Sequence, residues 1–253
     1  MEFATIDSTN SQAQRLARRG ERGPLWLRAD RQEDGRGRSG RSWSSPAGNL
    51  SATFMFSPAC TSEYLHQLAL VAGIAACDTI KTFLENAESD SQCRIKWPND
   101  LMIGTAKAGG ILIESTTLHG QCLAIVGCGI NISVKPVIAD REVTAMAEHG
   151  AAPNPSTFLE QLDQYLYDRL KIWNNGIGFA AIRQAWLQRT YPCGSPMSVN
   201  TADKLIYGTF AGIAEDGALL LSQGSAHYLR FNFGDVVIGR NAAQPVNGDN
   251  DKN

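Results

Sequence analysis

Apolar residues recur at three- and four-residue intervals at Leu65, Leu68, Ala72, Ala76, Ile80 and Phe83, which predicts an amphipathic helix over residues 62–83. The same spacing returns at Leu159, Leu162, Leu166 and Leu170, behind Thr157-x-x-Glu160, the pattern of a capping box that opens a helix. Shorter helices are predicted over residues 10–19, where Asp7-Ser8-Thr9-Asn10 supplies capping side chains, and over residues 179–189. Between them lie strand-like runs at residues 25–29, 50–56, 94–97, 101–103, 110–114 and 123–130, with Gly104-Thr105 as a hairpin turn. After Tyr191-Pro192 the texture changes. Short β-type runs at residues 197–200, 205–214, 218–222, 227–231 and 236–238 alternate with Gly and Asp turn signals.

This order predicts an α+β chain: a large domain over residues 1–192 and a small β-barrel-like domain over 193–240. The polar, Asn- and Asp-rich residues 241–253 are expected to be a disordered tail. There is no internal repeat. With 43% apolar and 19% charged residues, the 253-residue chain has the make-up of a soluble globular protein. Its net charge of -2 gives no global case for nucleic acid or anionic membrane. Locally the charge is uneven, since Arg28, Arg31, Arg36, Arg38 and Arg41 fall in one window that could serve an anion. The six cysteines form no C-x-x-C pair, so neither a zinc site nor a redox motif is indicated. MEFATIDSTN is not a signal peptide, and the longest apolar run, near residues 68–77, is too short to span a bilayer. These features predict a reduced, cytoplasmic protein.

Three constellations carry candidate chemistry. In Gly35-Arg36-Gly37-Arg38-Ser39-Gly40-Arg41-Ser42-Trp43 the glycines free the backbone to wrap an anion, and the arginines supply charge that does not titrate near neutrality. On chemistry alone, a solvated basic loop is an equally good reading. Lys96-Trp97-Pro98-Asn99-Asp100, followed by Lys107 and Gly109-Gly110, predicts a rigid turn with an amide and a carboxylate at its tip and a cation facing it. An ordinary surface hairpin is the competing reading. Gly127-Cys128-Gly129-Ile130-Asn131 is a strand end that permits close backbone approach, with Asn131 as a ligand donor or a simple cap.

Taken together and in this order, the segments resemble the biotin–protein ligases. The loop Gly35-Arg36-Gly37-Arg38-x-Gly40-Arg41-x-Trp43, with Ser45-Pro46-x-Gly48 behind it, resembles that family's phosphate and biotin loop. Lys96-Trp97-Pro98-Asn99-Asp100-Leu101, Lys107 and Gly110-Ile111-Leu112-Ile113-Glu114 resemble its second signature, and Asp7-Ser8-Thr9-Asn10 its N-terminal element. Two departures stand out. Glu33-Asp34 put negative charge where a small residue is usual, and Cys128 takes a position that is commonly aliphatic. Residues 140–156 match nothing in the pattern.

The resemblance implies a catalytic domain of the class II synthetase-like, biotin–lipoate ligase fold, in which helices pack on a mixed β-sheet, joined to a small SH3-like β-barrel. It implies a short form without the DNA-binding domain of some relatives, so no DNA is expected as a partner, and no membrane. It also implies two steps: biotin and ATP give biotinyl-adenylate, and biotin then passes to a lysine of a carboxyl carrier domain of a biotin-dependent carboxylase. Lys107, Arg38 and Asp100 would be catalytic, with Asp100 orienting or deprotonating the acceptor lysine. Ser8, Thr9, Asn10, Gln32, Gly35, Arg36, Gly37, Arg38, Lys107 and Gly110 would bind biotin. Arg36, Arg38, Arg41, Trp43, Asn99, Lys107 and Asn131 would bind ATP, with magnesium accompanying the nucleotide and no protein metal ligand indicated. The loop around residues 35–40 is expected to close over the intermediate. Lipoate ligases and octanoyl transferases share the fold and acyl chemistry, but the two signatures resemble the biotin branch. A biotin-dependent regulator without catalysis and an inactive binding module are the other readings. The sequence leaves homodimer formation open.

Overall fold

The computed structural model describes residues 1–118, 120–138, 142–201, 204–224 and 227–239. The chain divides into two compact units, Met1–Thr190 and a second beginning at Tyr191. The expected tail at residues 241–253 lies outside the described residues.

The first unit is built on a seven-stranded mixed sheet of β1 (Glu2–Ile6), β2 (Leu25–Gln32), β3 (Leu50–Phe56), β4 (Cys93–Lys96), β5 (Asp100–Ile103), β6 (Ala106–Leu118) and β7 (Gln121–Ile130). Their order across the sheet is β1-β2-β3-β7-β6-β5-β4. Only β1 and β2 run parallel. Strand β1 was not foreseen. It is five residues long and half exposed, so it carries no alternation strong enough to read.

Because side chains alternate across a strand, one face of the sheet carries Thr53, Glu114 and Gly127, and α1 (Thr9–Arg18) lies over it. Ser8 caps this helix, its hydroxyl accepting from the Ser11 amide at 3.4 Å. Ala13 and Ala17 pack on Leu27, Met55, Leu123 and Ile125, so the small side chains of the helix let it sit close to the strands. The opposite face is covered by α2 (Leu68–Asn86), α3 (Pro155–Trp173) and α4 (Phe179–Leu187). Trp26 reaches α3 from that face, donating to Asp163 at 2.7 Å. Asp78 of α2 binds Arg169 (3.0 Å) and Arg189 (2.5 Å), which joins α2 to α3 and to the segment after α4. These pairs are part-buried, so solvent screens them in part.

Three expectations need correcting. Residues 62–67 form a 3-10 turn, and the α-helix proper starts at Leu68. Helix α3 starts at Pro155 behind Asn154, whose side chain accepts from the Ser156 amide at 2.9 Å, and not at a Thr157 capping box. Proline at the first turn pre-sets the helical φ and gives up an amide that would have had no partner there, so Asn154-Pro155 is the stronger start signal. The stretch Ser62–Asn86 is long and apolar enough by composition to cross a membrane, which the shorter apolar run had not indicated. In the fold 72% of that window is buried, as befits the central helix of a core.

The second unit is a five-stranded antiparallel sheet of β8 (Pro196–Asn200), β9 (Leu205–Ile213), β10 (Leu219–Ser222), β11 (Tyr228–Phe231) and β12 (Asp235–Ile238). Its order is β11-β10-β9-β8-β12. Met197, Val199, Phe210, Ile213, Leu219, Leu221 and Val236 form its buried side. A side chain at Gly208 would meet the Ser222 carbonyl at 2.4 Å, so glycine is required at that crossing.

Candidate active site

The face of the sheet under α1 carries a continuous chain of hydrogen bonds. The Thr9 amide and hydroxyl donate to Gln32 Oε1 (2.8 and 3.0 Å), and Gln32 Nε2 donates to Ser45 (2.8 Å). Thr53 donates to Asn10 Oδ1 (2.6 Å) and lies 2.7 Å from the Thr9 hydroxyl. Asn10 Nδ2 in turn donates to Glu114 (2.8 Å), and Glu114 holds Arg36 (3.2 Å). Ser8, Thr9, Asn10 and Thr53 are all buried. A chain of this kind fixes which atoms donate and which accept, because every link constrains the next.

The glycine- and arginine-rich loop folds back on itself. Trp43 N–H donates to the Gly35 carbonyl (2.8 Å), and Gly37 N–H donates to the Arg41 carbonyl (2.7 Å). The Gly37 amide is therefore engaged inside the loop. Gly35 is required sterically, since a side chain there would meet the Trp43 carbonyl at 2.4 Å. Gly40 has φ +72°, in the left-handed region that favours glycine. Of the five arginines in the charge window, Arg36 and Arg38 enter the site. Arg28 is taken up by Glu2 (3.2 Å) and Asp30 (2.7 Å), while Arg31 and Arg41 are exposed. Glu33 and Asp34 are exposed as well, their amides bonded to the Ile6 and Asp7 carbonyls that end β1.

Three cations converge from separate segments. Arg38 donates to Asn99 Oδ1 (2.9 Å), and Asn99 Nδ2 donates to the Ile111 carbonyl (2.6 Å). Lys107 and Lys96 both bind Asp100, the second at 3.0 Å. Sequence spacing had put the amide and the carboxylate at the tip of a rigid turn, with an ordinary surface hairpin as the competing reading. Instead Lys96 pairs with Asp100 across β4 and β5, Trp97 is buried, and Asn99 is all but buried at 9% exposure. Burial alone would raise the Asp100 carboxyl, but Lys107 and Lys96 outweigh it and hold it below the ordinary carboxylate range. A group lowered in this way keeps its charge, and both lysines, until the pH falls below that range. It is correspondingly a weak base.

Strand β7 completes the floor. A side chain at Gly127 would meet Asn10 Oδ1 at 2.4 Å, and one at Gly129 would meet the Trp43 indole at 2.6 Å. These glycines let Asn10 and Trp43 lie against the sheet. Lys107 Nζ stands 5.5 Å from the Trp43 ring centre and 3.3 Å from where a Gly110 side chain would begin. Asn131 follows the strand, wholly buried, its Nδ2 donating to the Thr144 carbonyl (3.1 Å). Its Oδ1 has no hydrogen-bond partner among the described residues, and neither does the buried Arg36 Nε. Buried polar atoms left in this state can take a bond from a water or a ligand. Cys128, between the glycines, is buried and its thiol pushed up to about 12, so it packs as a small apolar group.

The structure thus gathers Ser8, Thr9, Asn10, Gln32, Gly35, Arg36, Arg38, Trp43, Asn99, Asp100, Lys107, Gly110 and Asn131 about one face, and leaves Arg41 exposed at the rim of its loop. Sequence reading missed four contributors. Thr53 and Glu114 link the floor, Lys96 shares Asp100, and Asn49 accepts from the amides of Ile132, Ser133 and Val134 (3.0, 3.0 and 3.1 Å), shaping the turn after Asn131. Among these Lys96 and Glu114 had a signal, as the start of the Lys96–Leu101 motif and the end of the Gly110–Glu114 motif.

The site is thus a mixed sheet that sets neutral hydrogen-bonding side chains beside a cation cluster. Residues 3–131 match the model of the biotin/lipoate A/B protein ligase family. Over 226 residues the chain is 36% identical to a biotin–[acetyl-CoA-carboxylase] ligase from Paracoccus denitrificans, covering 87% of this chain and 92% of that protein. It is 32% identical to the bifunctional ligase/repressor BirA of Escherichia coli K12, covering 86% of this chain and 67% of that one. Among solved structures, a biotin protein ligase from Aquifex aeolicus in complex with biotin and ATP superposes with a TM-score of 0.77 at 24% identity, covering 94% of this chain and 98% of that one. The chain belongs to the biotin/lipoate A/B protein ligase family.

Proposed function

We propose that this protein is a biotin–protein ligase, which activates biotin with ATP and transfers it to one lysine of a carboxyl carrier domain of a biotin-dependent carboxylase. The observation that carries the reading is the meeting of the Ser8–Thr9–Asn10–Gln32 hydrogen-bond chain with Arg36, Arg38 and Lys107 on one face of the sheet. Biotin has a neutral ureido head and an anionic tail. Its head suits buried neutral partners in a chain such as this, and its carboxylate suits the cations next to them.

In the first step a biotin carboxylate oxygen attacks the α-phosphorus of ATP, the bond to the bridging oxygen breaks, and pyrophosphate leaves. Two anions must approach, so the main work of the protein is to cancel their repulsion. Lys107 bridges the carboxylate and the α-phosphate, Arg36 and Arg38 hold phosphate oxygens, and magnesium enters with ATP as part of the substrate. Trp43 and Asn131 receive the adenine, Trp43 by its ring face and Asn131 through the acceptor that has no partner among the described residues. In the second step the acceptor lysine gives its ammonium proton to solvent, the neutral amine attacks the acyl carbon, the bond from that carbon to the phosphate oxygen breaks, and AMP leaves as the amide loses its remaining extra proton to solvent. Asp100 draws the incoming amine by charge. The loop around residues 35–40 closes over the anhydride and keeps water from it.

Incubated with ATP, biotin and an acetyl-CoA carboxylase carrier domain, the protein is expected to add one biotinyl group to a single lysine, read by intact-mass and peptide mass spectrometry. A carrier of unchanged mass would contradict the reading.

A further inference from the structure

Residues 142–149 matched no part of the family pattern, yet they close around the two site residues Lys107 and Asn131. Lys107 N–H donates to the Glu142 carbonyl (3.0 Å), and the Lys107 carbonyl accepts from Thr144 N–H (3.0 Å). The Asn131 carbonyl accepts from Met146 N–H (2.9 Å), and the Ile132 carbonyl from Ala147 N–H (2.8 Å). This strap therefore grips the backbone on both sides of the site.

It also sets a side chain. The Thr144 carbonyl can only accept, so the Asn131 amide must turn its nitrogen toward it (3.1 Å) and its oxygen away. That oxygen is the buried atom with no partner among the described residues. The strap is anchored in turn by His149. One ring nitrogen lies 2.9 Å from the Thr144 hydroxyl and the other 2.9 Å from the Ser91 hydroxyl. Thr144 also donates to Glu148 (2.8 Å), which Lys135 holds at 2.6 Å. His149 is thus the bracket between the strap and the segment leading into β4.

We propose that Thr144 and His149 are positioning residues that fix the Asn131 amide as an acceptor, and so set the preference of the site for an aminopurine nucleotide over its keto counterpart. The proposal rests on the nucleotide site described above. An exocyclic amine donates to the fixed oxygen. A keto oxygen in its place would face another acceptor, leaving both unpaired in a buried site. An amide free to turn would present its nitrogen and accept either base.

The test measures biotin-dependent pyrophosphate exchange with ATP and with inosine triphosphate for the wild type, His149→Ala, Thr144→Val and Thr144→Ser. The two disruptive variants are expected to raise KM for ATP about tenfold and to lower the ATP-to-inosine ratio of kcat/KM by a similar factor, with the Kd for biotin unchanged. Thr144→Ser keeps the hydroxyl and is expected to keep the wild-type ratio. A lowered urea midpoint with an unchanged ratio in both His149→Ala and Thr144→Val would overturn the proposal, since it would leave the strap a purely structural part. Asn131→Ala separates the two levels. If it collapses the ratio and the strap variants do not, the inference falls while the nucleotide site stands. If Asn131→Ala leaves the ratio unchanged, the nucleotide site is misassigned and the inference falls with it.

Discussion

Lys107→Ala is expected to slow biotin-dependent ATP–pyrophosphate exchange by about a hundred- to a thousandfold, with the fold intact. Lys107 is bound to Asp100 and stands 5.5 Å from the Trp43 ring centre. The reaction joins two anions, so a fixed positive charge between them acts most strongly in the transition state, where they are closest. The fold should survive because Asp100 keeps Lys96 at 3.0 Å and is not left as an unpaired buried charge. Exchange rates and urea midpoints on the same preparations separate the two effects. Exchange at the wild-type rate would remove Lys107 from the mechanism. A collapsed midpoint would instead mean that the Lys107–Asp100 pair is chiefly structural.

Gly127→Val tests the other end of the site. The new side chain would begin 2.4 Å from Asn10 Oδ1, closer than real contacts allow. The strand cannot retreat, because Gly127 is paired on one side with Thr53 and on the other with Leu112. Asn10 must therefore leave its bonds to Thr53 and Glu114. Two lost hydrogen bonds and the local strain amount to about 3 kcal/mol, or about a hundredfold in Kd for biotin. KM for ATP is expected to change little, because Trp43 lies against Gly129 and not Gly127. Calorimetric titration with biotin gives the answer, and wild-type affinity in this variant would place biotin elsewhere.

The features that sequence reading recovered are those whose signal is local. Residues 50–56 alternate well enough to read as a strand, and β3 is Leu50–Phe56. Ser8 before a helical run is a capping signal, and Ser8 caps α1. Strand β6 shows the limit. Only residues 110–114 were read, whereas the strand runs Ala106–Leu118, because Lys107, Gly109 and Gly110 interrupt its apolar pattern. Those interruptions are the site itself, and a strand that must leave room for a ligand gives up the regularity that would betray it.

The site follows the same rule. Arg36, Arg38, Lys107 and Asn131 were named because their residue types and order resemble a known family. Thr53 and Glu114 hold the chain together through Asn10, and those contacts span 43 and 104 positions of sequence. Thr53 looks like any threonine in an alternating strand. Residues 142–149 meet Lys107, Asn131 and Ile132 through backbone bonds, which leave no mark on residue type.

The most direct measurement is ATP–pyrophosphate exchange by the purified protein, with biotin, lipoate and octanoate each offered as the acid. Exchange with biotin alone is predicted, which would establish acyl-adenylate formation and the identity of the acid together. Exchange with lipoate or octanoate in place of biotin would contradict this account and move the protein to the other branch of its family, and no exchange with any of the three would contradict adenylation altogether.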